Sequence, residues 1–213
     1  MKSKINWVSL FLEFLVVLVG ILLAFQLNQC SDRNKSRQLV DQHLEALYEE
    51  CAFNKRMVEL AVDSLGDTLN KAEQLLGLIQ SKGDPALIDK QTVSLMGSAT
   101  LYLKDNAYNT LIQSGDIRYV EDFDKKNEII NLYEYFKWAK ELDKLHMNSL
   151  EKDFYPYINE NFDLLNEEIQ AKEVYHSKKF ANTIGTNYYY LQMRNQKYGE
   201  CLQKIDRYLK KMK

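Results

Sequence analysis

Trp7-Val8-Ser9-Leu10-Phe11-Leu12-Glu13-Phe14-Leu15-Val16-Val17-Leu18-Val19-Gly20-Ile21-Leu22-Leu23-Ala24-Phe25-Gln26-Leu27-Asn28 is an apolar run broken by one acid, Glu13. A bilayer core of roughly 30 Å takes about 20 mostly apolar residues in helical form, and a helix satisfies its own backbone there. The run therefore predicts a transmembrane anchor within residues 1–30 and leaves residues 31–213 as a domain held at a membrane. Lys2 and Lys4 ahead of the run have the sign of a signal-peptide n-region. Against cleavage, the run exceeds the roughly 7–15 residues of a signal h-region, and Gln26-Leu27-Asn28-Gln29 offers no pair of small residues to a signal peptidase. Gln29 before Cys30 likewise suits lipoprotein processing poorly.

Outward from the anchor the chain keeps a helical character. It has 2 Pro and 8 Gly in 213 residues, which disfavours a turn-rich β architecture. Neither residue occurs between Gly20 and Gly66, so the anchor is expected to run on as a stalk helix over 31–80. Leu44, Leu47, Cys51, Val58, Ala61, Leu65, Leu69, Ala72, Leu76 and Ile79 hold steps of three and four along it, with one step of seven from Cys51 to Val58. Ser81-Lys82-Gly83-Asp84-Pro85 reads as its stop, a C-terminal glycine with proline shortly after. Short helices are expected over 89–114, the first capped by Asp89 and the second ending at Ser114-Gly115. A long helix is expected over 122–152, opening at Asp122 or Asp124 and broken by Phe154-Tyr155-Pro156-Tyr157, and a last one over 180–212. Residues 158–179 show no clear period. The fold class this predicts is all-α: one N-terminal transmembrane helix continuing into a long stalk within an elongated antiparallel helical bundle.

Three features are candidates for function. At 100° per residue Ser9, Glu13, Gly20 and Ala24 share one side of the anchor, a small and polar stripe on an otherwise apolar helix. Small residues let helix backbones approach in lipid, so this stripe is a candidate packing face for a second anchor or another membrane helix. Headgroup contact or simple protonation of Glu13 is the plainer account. Cys51 and Cys201 are a candidate disulfide if the last helix returns antiparallel to the stalk, with buried free thiols as the alternative. Tyr188-Tyr189-Tyr190 cannot all face one core, which leaves ring surface for a partner. The basic C-terminus, Lys204 to Lys213, complements a helix dipole, or touches headgroups if the last helix returns to the membrane.

The formal net charge of −2 argues against generic nucleic-acid binding. No nucleophile–base set, phosphate loop or cysteine–histidine spacing singles itself out, so neither enzymatic activity nor a cofactor is expected. Asp143-x-x-His146 and Glu173-x-x-His176 each put a carboxylate and an imidazole one turn apart, as in di-iron bundles. Those sites need two further glutamates from other helices, and no metal is expected here.

Glu13-Phe14-Leu15-Val16-Val17, Gly20-Ile21-Leu22 and Ala24-Phe25-Gln26-Leu27-Asn28 together resemble the opening of an uncharacterised bacterial family, common in Bacteroidota, of small single-anchor membrane proteins. Ala107-Tyr108-Asn109-Thr110-Leu111-Ile112-Gln113-Ser114-Gly115-Asp116-Ile117 is similar to that family's aromatic-x-x-Leu-x-x-Ser-Gly turn. Cys30 departs from the pattern, where many relatives carry Trp. The resemblance implies a membrane-anchored helical domain and no enzymatic activity. Lys2 and Lys4 nearly balance Arg33, Lys35 and Arg37 across the anchor, so the positive-inside rule barely chooses an orientation. With the resemblance, the expectation is a single-pass protein of the bacterial inner membrane with a periplasmic domain. Its expected role is that of a scaffold or accessory subunit binding another membrane protein or a second copy of itself. The alternatives are a small-ligand-binding sensor-like bundle and a membrane-perturbing oligomeric effector.

Overall fold

A computed structural model describes residues 7–97, 99–166, 168–169 and 172–212, with side chains from Phe11 to Gly97, Ala99 to Asn166 and Val174 to Met212. Its first element, α1 (Trp7–Ser81), is one helix of 75 residues. From Phe11 to Leu39 its side chains are exposed, apart from a half-buried Ser36, and burial begins at Val40. This free part is long and apolar enough to cross a membrane.

The end of α1 satisfies its own last carbonyls. The Gly83 N–H reaches back to the Leu78 carbonyl (2.8 Å) and the Lys82 N–H to that of Ile79 (3.4 Å), the paired bonds of a Schellman turn. The left-handed residue is Lys82 (φ 52°), not the glycine. Gly83 serves a different need, since a Cβ there would stand 2.7 Å from the Leu78 side chain. Asp84 then accepts the Ala86 N–H and, with Pro85 in the first turn, opens α2 (Pro85–Ser94). The expected start at Asp89 is therefore late: Asp89 lies inside α2, buried, and accepts the Tyr175 hydroxyl.

Where a helix is expected to run on from Asp89, α2 ends at Ser94 in a turn, residues 99–105 are neither helix nor paired strand, and α3 (Asn106–Gln113) follows. Gly115 (φ 77°) turns the chain into a 3-10 turn, Asp116–Tyr119, whose Asp116 carboxylate meets His43 of α1 at 3.1 Å. Asp122 caps α4 (Phe123–Ser149) by accepting the Lys125 N–H. The break expected at Phe154-Tyr155-Pro156-Tyr157 is not a break. Leu150–Phe154 widens into a π-helical turn and the chain continues as α5 (Tyr155–Asn161). Pro156 has no N–H and its ring would crowd the carbonyl four residues back, so a wider turn before it keeps the axis continuous. A two-residue-per-strand hairpin follows, β1 (Phe162–Asp163) and β2 (Glu168–Ile169), then a 3-10 turn, Lys172–His176, and α6 (Lys178–Met212).

The core is a three-helix sheaf with α6 at its centre, packed along both α1 and α4. Phe180, Ile184, Asn187, Leu191, Arg194, Tyr198, Cys201, Ile205 and Tyr208 step by four and three along α6, and all are buried. Leu47, Cys51, Asn54, Val58, Ala61 and Leu65 do the same on α1, the alternation of a coiled-coil seam. The ion pair Lys55–Asp206 (2.7 Å) and the Tyr175 hydroxyl on the Pro85 carbonyl (3.4 Å) set α1 and α6 antiparallel. Lys211–Glu128 (2.7 Å) does so for α6 and α4.

Candidate functional site

The anchor stripe lies on the free part of α1. Glu13, Gly20 and Ala24 are exposed, a Cβ built on Gly20 would meet nothing, and the side chain of Ser9 lies outside those described. The chain itself therefore leaves this face uncovered at the described positions.

Cys51 and Cys201 are both buried free thiols, and the disulfide considered from the sequence is not formed. Helix register explains this. With Lys55 opposite Asp206, Cys51 falls opposite residue 210 and Cys201 opposite residue 60. About nine residues at 1.5 Å each separate their levels by roughly 13 Å, well beyond the ~7 Å that a disulfide spans between Cα atoms. Burial pushes each thiol up to about 12, which leaves both unreactive. Cys30 alone is exposed.

The three tyrosines divide their roles. Tyr188 packs partly against the core and its hydroxyl accepts from Gln192 (2.8 Å). Tyr189 is 58% exposed. Tyr190 stacks on His146 with ring centroids 5.3 Å apart.

Asp143 and His146 do meet a cation, but it is a guanidinium. Arg194 is 1% exposed at the centre of the sheaf. Its Nε donates to Asp143 Oδ1 (3.0 Å), its Nη1 lies 2.9 Å from His146 Nδ1, and its Nη2 donates to the Ala99 carbonyl. The Tyr198 hydroxyl also donates to Asp143, whose other oxygen accepts the Leu101 N–H (2.7 Å). A guanidinium only donates, so His146 Nδ1 must accept and the proton sits on Nε2. That Nε2–H then donates to Asn187 Oδ1 (2.7 Å). Burial lowers His146 to about 4, with the Arg194 charge adding to the effect against Asn187 and Asp143, so the ring is neutral. Of the second carboxylate–imidazole pair, His176 is exposed and the Glu173 side chain lies outside those described.

A second polar group sits one level nearer the anchor. Asn54, fully buried, holds both the N–H and the carbonyl of Lys104, each at 2.8 Å. One turn earlier Glu50 accepts the Ala107 N–H (2.9 Å) at the start of α3 and the Tyr133 hydroxyl (2.7 Å). Burial raises the Tyr133 phenol far above its usual range. Between these clamps Leu101 and Leu103 point inward while Tyr102 is 59% exposed. Residues 99–105 thus form an extended strap wedged between α1 and α4, its backbone bonded by side chains where a sheet would use a neighbouring strand.

Sequence reasoning weighed Asp143 and His146 as metal ligands, set that reading aside, and missed what they bind instead. The signal was present: Asn187 and Arg194 occupy seam positions of α6 among apolar neighbours, and Asn54 does so on α1. A polar residue inside such a seam is costly unless a partner meets it.

Outside the sheaf, a groove of about 610 Å³ runs between the π turn, α5 and the first turns of α6. Among the described residues, no three His, Cys, Asp or Glu gather as a metal site. Comparison of the chain with protein-family models, with curated proteins and with solved structures gives no match.

Proposed function

We propose that the chain is a membrane-anchored helical scaffold or accessory subunit of the bacterial envelope, holding its domain on the periplasmic side and associating through its anchor. The observation that carries this reading is the division of α1: an apolar first third that no other described residue covers, continuous with a later part buried in the sheaf. A rod of this kind transmits the position of whatever the anchor binds directly to the domain. The buried centre holds a neutral histidine bonded between Arg194 and Asn187, and Arg194 is paired with Asp143, which has the marks of a structural network.

Helix geometry adds support for pairing between anchors. At 100° per residue Glu13, Gly20 and Ala24 point roughly 170° away from Leu47, Val58 and Leu65. Two copies joined along the stripe would carry their domains on opposite outer sides, free of collision. In a membrane two-hybrid assay, Glu13→Ala and Gly20→Leu should weaken self-association about tenfold, the 1.4 kcal/mol scale of one good interhelical contact. Association unchanged in both variants would contradict pairing through this face.

A further inference from the structure

The groove beside α6 has one wall that the buried network orients. Asn187 lines it, yet is only 4% exposed. Because Arg194 fixes the His146 tautomer, Asn187 must turn its carbonyl inward, and its amide nitrogen faces the other way. Among the described residues that nitrogen has no hydrogen-bond partner, and it is not among the enclosed unsatisfied atoms, so it opens on the groove. A chain Asp143–Arg194–His146–Asn187 therefore holds two N–H donors rigidly at the groove's inner end.

The surroundings suit an acceptor of negative charge. Thr183 and Ser149 bring hydroxyls, and the π turn brings Lys152, whose ammonium has no carboxylate partner among the described residues. Lys178 and Lys179 stand at the far end, where α6 begins and its dipole is positive. Asp153 and Glu160 also line the groove, so cations outnumber carboxylates by three to two. The floor is apolar: Leu150 and Phe154 are buried, and the Tyr157 ring, 5.0 Å below Lys179 Nζ, is nearly so.

We propose that this groove binds a small organic oxyanion, its carboxylate or phosphate oxygens accepting from Asn187 Nδ2 and Lys152 and its apolar body lying over Phe154 and Tyr157. The site is independent of anchor pairing, so either stands if the other fails. The test uses the full chain in nanodiscs of zwitterionic lipid, titrated calorimetrically with benzoate, phenyl phosphate and neutral benzamide. Saturable binding of benzoate assigns a carboxylate ligand, that of phenyl phosphate a phosphate, and benzamide should not bind. Asn187→Asp keeps an oxygen for His146 Nε2–H but sets a negative charge against the ligand, so affinity should fall at least about tenfold. The exposed Lys152→Gln disturbs no buried contact and should weaken binding severalfold, which keeps the test decisive if the first variant folds poorly. No saturable binding of either anion, or wild-type affinity in the variants, would overturn the proposal.

Discussion

Arg194 decides the chemistry of the residues around it. A guanidinium offers only donors, so it dictates which His146 nitrogen carries the proton, and His146 in turn dictates how the Asn187 amide lies. An ion pair such as Arg194–Asp143 gives little net stability after desolvation, while losing one partner costs about 3–5 kcal/mol. Its value here lies in register: Asp143 meets Arg194 only when α4, α6 and the strap are all in place. The same burial makes a pH prediction. In the unfolded chain His146 titrates near the ordinary 6.5, and in the folded protein near 4. As pH falls between those values the unfolded state takes up a proton that the folded state refuses, so stability drops by about 3 kcal/mol across that window. Imidazole resonances followed by NMR should show one of the three histidines with a midpoint near 4; a His146 midpoint near 6.5 would mean its ring is not buried in the sheaf.

The strap from Ala99 to Asp105 is the element that the sequence hid. Asn54→Ala would leave the part-buried Lys104 N–H and carbonyl without their protein partner, at a cost of about 1 kcal/mol or more. Hydrogen exchange should then speed at Lys104 and Ala107 before the amides of α6 respond; uniform loss of protection, or none, would contradict a clamped strap. The long helices were legible because seam residues such as Leu47, Val58, Ile184 and Ile205 repeat every three and four positions, and because Asp122 and the Lys82-Gly83-Asp84-Pro85 turn punctuate them. The strap was not, because its backbone partners, Asn54, Asp143 and Arg194, lie between 42 and 95 residues away. Pro156 misled for a related reason. A proline signals a lost hydrogen bond, but whether the helix ends or widens depends on packing, and Phe154, Tyr157 and Ile158 all bury on the core side of the continuing helix. At the candidate sites, the anchor stripe and the division of the tyrosines follow from local spacing, whereas the cysteine levels follow from a register that only Lys55–Asp206 reveals.

Seen whole, the molecule is a rod with its bulk carried well away from the apolar segment. By the same register, Met212 at the end of α6 lies level with about residue 49 of α1, roughly 19 residues or 28 Å beyond Cys30. The basic last turns of α6, up to Met212, therefore do not fold back onto the anchor, and Lys211 pairs with Glu128 instead. Between Cys30 and Lys35 the helix is a bare neck; Arg37 then meets Glu121 at 3.1 Å, and from Val40 α1 is held by the seam. The account stands or falls on α1 being one rigid helix across that neck. Cys30 is the one exposed cysteine, so spin labels at Cys30 and at Glu59→Cys, diluted in nanodiscs, measure it by pulsed dipolar EPR. The account predicts a single narrow distribution centred about 44 Å, the rise of 29 helical residues; a broad distribution, or one centred well below that distance, would contradict it.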